Sequence, residues 1–410
     1  MKGRHIKIQL IKFSLYGFFK NLRFFDPFLL LYLTYNNISL THIGILFAIR
    51  EAIIYIFEVP SGVFADKFGR KTELIICFIF YIMSFIIFYL GNGFHHFIIA
   101  FSLFGLGEAF RSGTHKAMIM DFMDYHNIKD NKSKIYGATR SYSMIGSMFS
   151  SILAIVLVRI LPSISTLFLV AIIPYIFDLL LILSYPNYLN TKIEHKFSFK
   201  EFFQGSIVII STTLKNKTLR STLFDSATYN AIFKTIKDYI QIVIYAALIT
   251  SFVKMDDATE SIEINLALIY AGMFLLSALA SRLSHRFLKL SSRDNILNYI
   301  WLLTALISSL IIIFNNSLYI TIGLFSLFHV LLNIRKPIMI EKIGDMADSS
   351  QRATILSVES QITSLVIIVM APLFGFVYDR WNLQYVFILI VIFSLLFSLI
   401  TYKKRNLSNT

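Results

Sequence analysis

Charge is scarce in this chain: 15% of its 410 residues are Asp, Glu, Lys or Arg, against 56% that are hydrophobic. A soluble fold of that composition has too little polar surface to cover itself. Cysteine is scarcer still. Cys77 stands alone, which excludes an internal disulfide and a cysteine cage for a metal. No His-x-x-x-His or Cys-x-x-Cys pair occurs, and His95 and His96 are expected in an exposed turn rather than among ligands. A Walker loop is missing, so ATP coupling within this chain is not expected. Neither a convergent nucleophile nor a metal set is present, and the chain is read as a non-enzyme without a cofactor.

Long apolar runs are what the chain does have. Twelve of them approach the roughly 20 residues that cross a hydrocarbon core about 30 Å thick: 11–34, 40–64, 72–91, 96–121, 136–159, 164–185, 219–249, 262–284, 295–314, 317–339, 353–378 and 384–402. Helices are expected, because lipid offers no partner to an unpaired backbone group. The basic residues alternate onto one side. They fill the amino end, the 66–71, 121–135, 186–218, 282–293 and 335–352 connections and the tail, while the opposite loops hold only Arg159, Lys254 and Arg380. By the positive-inside rule both termini are cytoplasmic, and the net charge of +14 is a topology signal that needs no nucleic acid. Lys12, Lys20, Arg23 and Asp26 interrupt the first run, so it does not read as a cleavable signal peptide. The expected setting is a bacterial plasma (inner) membrane, crossed many times.

The most distinctive polar stretch is Glu58-Val59-Pro60-Ser61-Gly62-Val63-Phe64-Ala65-Asp66-Lys67-Phe68-Gly69-Arg70-Lys71, set between two apolar runs. Pro60 and Gly62 permit a bend or close packing near a helix end, and Gly69 accepts the positive φ of a tight turn. Asp66, Arg70 and Lys71 would then form a compact charge cluster at the membrane face. Written as Gly62-x-x-x-Asp66-Lys67-x-Gly69-Arg70-Lys71, the stretch resembles the cytoplasmic loop between helices 2 and 3 of major facilitator superfamily transporters. The resemblance implies an all-α membrane fold of twelve transmembrane helices in two six-helix bundles, here 1–185 and 219–410. Between them, residues 186–218 form a cytoplasmic linker with an amphipathic piece from Phe202 to Thr213, and the substrate site lies between the halves near the midplane. The stretch Ala280-Ser281-Arg282-Leu283-Ser284-His285-Arg286 is a weak second copy that keeps basic residues and lacks the glycines and the acid.

A second resemblance lies in Gly105-Leu106-Gly107-Glu108-Ala109-Phe110-Arg111-Ser112-Gly113-Thr114, followed by Asp121. It implies that Asp121 pairs with Arg70, and that Asp66 meets the start of helix 11 near Arg352 and Thr354. Gly62, Asp66, Gly69, Arg70, Lys71 and Asp121 are thereby candidate gate residues; simple capping of a helix end by Asp121 stays open. The fifth span lacks the Gly-Pro pair common in proton-coupled drug antiporters, reading Tyr136-Gly137-Ala138-Thr139 instead.

Ionisable residues inside the spans carry the remaining signal, since each costs about 3 kcal/mol on insertion scales unless paired or hydrated. Arg23, Asp26, Arg50, Glu51, Glu108 and Arg111 fall near mid-membrane in the first half. Glu108 and Arg111 are spaced to pair along one helix. Glu51 and Glu58 share a face as a candidate carboxylate track. In the second half, Asn230 and Lys234 sit at i,i+4 spacing and both face a candidate cavity, and His329 reads as a hydrogen-bonded helix histidine rather than a proton acceptor. Arginine forks suit a carboxylate or phosphate, and mixed charges suit a zwitterion. The resemblance implies a monomeric secondary active transporter in the lipid bilayer, moving a small-molecule substrate by alternating access. Coupling to protons through the proton gradient, with efflux, is the leading expectation. Proton-coupled uptake of an anionic or zwitterionic solute, and ligand sensing without flux, are the alternatives.

Overall fold

The computed structural model describes residues 2–112, 114–126, 128, 132–190, 215–252, 266, 268–277, 279–280, 291–314, 317–346 and 352–408. Among the described residues every regular element is helical: α1 (Lys2–Lys20), α2 (Leu29–Tyr35), α3 (Leu40–Phe68), α4 (Arg70–Leu90), α5 (Phe94–Arg111), α6 (Thr114–Tyr125), α7 (Lys132–Ile160), α8 (Thr166–Leu183), α9 (Lys217–Phe252), α10 (Leu268–Ser277), α11 (Arg293–Ile313), α12 (Leu318–Asp345), α13 (Arg352–Arg380) and α14 (Leu383–Ser408). Short 3-10 turns occupy Asp26–Phe28 and Asn187–Leu189. Eight of these helices are long and apolar enough to cross a membrane: α3, α4, α7, α8 and α11 to α14. Their outward faces carry Ile56, Leu90, Leu180, Leu306 and Leu399, all exposed, which suits lipid and not water. The all-α membrane fold expected from the sequence is the one observed.

Of the other four expected spans, two are broken, one lies in a longer charged helix and one is described only in part. The run 11–34 is helical to Lys20, unwinds over residues 21–25 and resumes through the Asp26–Phe28 turn into α2. Pro27 supplies no N–H to a helix there, and Asn21 turns back to cap α1, its Nδ2 donating to the Gly17 carbonyl at 2.6 Å. The run 96–121 is two helices, since α5 ends at Arg111 and the amide of Ser112 closes on the carbonyls of Glu108 and Ala109. The run 219–249 lies within α9, which carries Asp225, Lys234, Lys237 and Asp238. The run 262–284 is described only in part, as α10. Residues 191–214 and 281–290, with the expected amphipathic piece and most of the weak second motif, lie outside the described residues.

The chain forms two compact units. The first comprises Met1–Ile38, Ile49–Phe199 and Glu263–Ala271; the second comprises Ser39–Ala48, Lys200–Ile262 and Gly272–Thr410. Aromatic rings fill the first. Phe168 is stacked by Phe25 at 4.6 Å and by Phe88 at 4.7 Å, while Tyr175 takes the edges of Tyr81 and Phe85. In the second, Trp301 is fully buried and stacks on Phe397 at 5.1 Å. Here too the first turns of α3 lie along α13. Asp379 caps α3, its carboxylate accepting the amides of Leu40 at 3.2 Å and Thr41 at 2.7 Å, and the Thr41 hydroxyl at 2.6 Å. The approach requires glycine at position 375, where a Cβ would come within 2.2 Å of the Leu40 carbonyl oxygen.

The polar stretch carries α3 past the expected end at residue 64: Pro60, Ser61 and Gly62 lie within a helix that runs to Phe68, and a Cβ on Gly62 would meet open space, so this glycine serves no close packing. The connection to α4 is Gly69 alone, at φ 96°. Arg335, expected in a cytoplasmic loop, lies inside α12 and is buried.

Gly375→Val should destabilise the second unit by about 1–3 kcal/mol through overpacking, measured as a lower unfolding temperature in detergent. Gly323→Ala, whose added methyl meets open space, is the matched control and should not lower it.

Candidate functional site

In the first unit, α5 holds Glu108 one helical turn before Arg111, so both side chains share a face. The Arg111 guanidinium donates to Glu108 Oε2 from Nη2 at 2.6 Å and from Nε at 3.1 Å. The other carboxylate oxygen is taken from a distant part of the chain. Arg23, in the unwound segment after α1, donates from Nη2 to Glu108 Oε1 at 2.7 Å and from Nε to the Tyr175 hydroxyl of α8 at 2.9 Å. That hydroxyl donates in turn to the Lys20 carbonyl at 3.0 Å. Phe104 lies 5.0 Å below the Arg23 guanidinium, close enough for a cation–π contact. Lys20 also acts electrostatically on Glu108, and the exposed Asp26 acts on Arg23. Two guanidiniums thus share one carboxylate. The Arg23, Glu108 and Arg111 side chains keep 18%, 17% and 31% of their surface, so the cluster is reachable rather than sealed. Both of its ends adjoin helix breaks, one at residues 21–25 and one at Ser112.

Other expected residues lie elsewhere. Arg50 pairs with its neighbour Glu51 at 3.0 Å, with Glu51 buried. Glu58 accepts the Ser112 hydroxyl at 3.0 Å. Arg70 and Asp121 form an ion pair that ties the start of α4 to α6. Lys71 does not join them. Its Nζ donates to the carbonyls of Leu183 at 2.7 Å and Tyr185 at 2.9 Å, the open end of α8, which Lys12 also caps at Ser184. Asn190 Oδ1 accepts the Lys71 amide at 3.0 Å and sits where a Cβ on Gly69 would collide at 2.1 Å. The side chains of Asp66, Arg352 and Thr354 lie outside the described residues.

Comparison with known proteins gives this arrangement its family. Residues 13–253, more than half of the chain, match the model of the Major Facilitator Superfamily. The chain belongs to the major facilitator superfamily. A relative from Bacillus subtilis (strain 168), an uncharacterized MFS-type transporter called YxaM, is 34% identical over 90 residues; the match spans 22% of this chain and 23% of YxaM. Among solved structures, a mutant form of the nucleoside transporter NupG has a TM-score of 0.79 at 11% identity, covering 97% of this chain and 99% of NupG. A POT family transporter in complex with 5-aminolevulinic acid has a TM-score of 0.71 at 13% identity, covering 96% and 95%. At those identities the two structures establish the fold.

In this superfamily member the second unit holds a different charge pair. Arg335 donates to Asp225 Oδ2 at 2.7 Å, Trp301 Nε1 donates to Oδ1 at 2.6 Å, and the guanidinium lies 4.4 Å from the Tyr229 ring. Both charged side chains are at most 7% exposed, which marks a support rather than a binding site. Asn230 donates to Glu359 Oε1 at 2.8 Å, as does Ser226, whereas Lys234 is exposed. His329 Nε2 is buried without a hydrogen-bond partner, contrary to the hydrogen-bonded reading, and its ring meets the edge of Phe233. Sequence reasoning missed Tyr175 and Arg335. Tyr175 gives no signal in a tyrosine-rich chain, while Arg335 is followed by Lys336, Glu341, Lys342 and Asp345 and so reads as the start of a charged connection.

Glu108→Gln removes the shared counter-charge from two guanidiniums. Breaking a buried pair costs about 3–5 kcal/mol, and partial exposure lowers the expected loss to about 2 kcal/mol. Thermal unfolding in detergent should register it, and Glu108→Asp should recover part.

Proposed function

We propose that this chain is a proton-coupled secondary transporter whose solute is a small organic molecule with an anionic or zwitterionic head. The observation that carries the reading is the Arg23–Glu108–Arg111 cluster, cationic in excess, partly exposed and flanked by two helix breaks. Interrupted helices are where transporters of this architectural type bind solute, because freed backbone groups and side chains there face a cavity. Planar guanidiniums fit a carboxylate or phosphate with paired N–H donors, and Glu108 holds them in place while leaving other donors free. A lipophilic cation would be repelled. Efflux by proton exchange rests on the family resemblance; the cationic excess favours the second direction, uptake with protons, in which the co-transported proton offsets the anionic charge. The Arg70–Asp121 pair is the cytoplasmic latch in this reading, gripping the start of α4 when that side is closed.

Proteoliposomes under an imposed pH gradient test the proposal with three probe sets: small carboxylates, zwitterionic amino acids and lipophilic cations. Gradient-driven flux of a carboxylate or zwitterion is expected, with its sense giving the direction. Arg23→Lys and Arg111→Lys, which keep charge and lose the fork, should each lower solute affinity by roughly tenfold, about 1.4 kcal/mol. Flux of the cations alone, or binding without flux, would overturn the reading.

The latch has its own check. Arg70→Asp should reduce flux strongly, and adding Asp121→Arg to it should restore part of the loss by rebuilding the pair in reverse. Full activity in the single variant would remove the latch.

A further inference from the structure

Four acidic residues are buried among the described residues: Glu51, Glu73, Asp178 and Asp225. Three have a donor. Glu51 pairs with Arg50, Glu73 accepts the Thr114 hydroxyl at 2.6 Å, and Asp225 has Arg335 and Trp301. Asp178 differs: it is 0% exposed in the second half of α8, and neither of its carboxylate oxygens has a hydrogen-bond partner. An ionised carboxylate in that position, with no donor at either oxygen, has no compensation for leaving water. A neutral carboxyl avoids most of that penalty.

Its surroundings are those of an exchangeable site rather than a sealed defect. From α1 come Tyr16, whose hydroxyl is also buried without a partner, and Lys20, the charged group whose field reaches Asp178. α4 packs along α8 and brings Cys77 toward Tyr16 and the Tyr81 ring to Tyr175, while His115 of α6 stacks on Tyr16 at 3.6 Å with its Nε2 3.2 Å from the hydroxyl of Tyr185, itself within reach of the Asp178 charge. The remaining neighbour, α7, has its Tyr142 and Arg159 side chains exposed. Lys20 acts on both Asp178 and Glu108, which links the lone acid to the arginine cluster through one cation.

We propose that Asp178 is a proton-binding site of the first unit, neutral in this conformation and ionised in one where the Lys20 ammonium pairs with it. The exchange is an acid dissociation: the carboxyl O–H breaks, the proton leaves to water, and the carboxylate gains Lys20 as its counter-ion. A proton bound in one conformation and released in the other is what coupling to a gradient requires. As a coupling element the site rests on the transporter reading above; as a proton site it stands apart from it.

Infrared difference spectroscopy on the purified full-length protein, stepped in pH without any solute, tests the site directly. A protonated-carboxyl C=O band sensitive to deuterium exchange is expected, absent in Asp178→Asn and kept in Glu359→Gln. Lys20→Met should carry that band to higher pH by about one unit, a tenfold change in proton affinity, because the cation favouring the ionised form is gone. A wild-type spectrum unchanged by Asp178→Asn, an unmoved midpoint in Lys20→Met, or loss of the band on adding sodium ions at constant pH would overturn the proposal. None of these readings depends on the solute, so failure here is separable from failure of transport. In flux assays Asp178→Asn should retain downhill solute movement and lose accumulation driven by the pH gradient; retained accumulation would also overturn it.

Discussion

One carboxylate shared by two guanidiniums governs the first helical unit. Glu108 lies where lipid and aromatic rings surround the helices, and Arg23 and Arg111 are tolerable there because it neutralises part of their charge. The same acid fastens the unwound segment after α1 to α5. Through Arg23 it also reaches Tyr175 on α8, whose hydroxyl returns to the carbonyl at the end of α1. An interrupted helix inside a membrane protein needs such a network, because its free backbone groups have no lipid partner. The break, the charges and the aromatic packing are one structural feature.

The two units handle internal charge differently. Asp225 and Arg335 close on each other beneath Trp301 and Tyr229 and keep almost no surface, so the second unit spends its ion pair on holding α9, α11 and α12 together. The Arg23–Glu108–Arg111 cluster keeps part of its surface and a cationic excess. Residual exposure is what distinguishes the two clusters. Asp178 belongs to neither kind, being buried with no hydrogen-bond partner at either carboxylate oxygen.

Helix ends account for most of the polar contacts outside these centres. Lys12 and Lys71 occupy the open carbonyls at the end of α8, Asn190 takes the second amide of α4, that of Lys71, and Asp379 takes the first amides of α3. Each puts the sign of charge or dipole that a helix terminus favours. The polar stretch that stands out in the sequence is largely this kind of hardware. Gly69 turns the chain, Arg70 reaches Asp121, and Lys71 turns the other way to cap a neighbour.

The membrane class, most of the helical spans and the superfamily were legible in the sequence, because apolar run length, basic asymmetry and a glycine-punctuated motif are local patterns. The Glu108–Arg111 pair was legible for the same reason, being one turn apart on one helix. The gaps were also physical. A single Pro27 and a run of polar residues did not reveal that the first span unwinds, and an apolar run could not show that α5 and α6 are separate helices. Arg23 meets Glu108 across 85 residues, and Arg335 meets Asp225 across 110. Which charges neutralise one another, and which acid is left alone, depends on the rotation and crossing of whole helices. Sequence alone therefore determined that this protein crosses a membrane and to which family it belongs, whereas tertiary packing decided which of its buried charges are paired, which remain reachable and which acid has no hydrogen-bond partner.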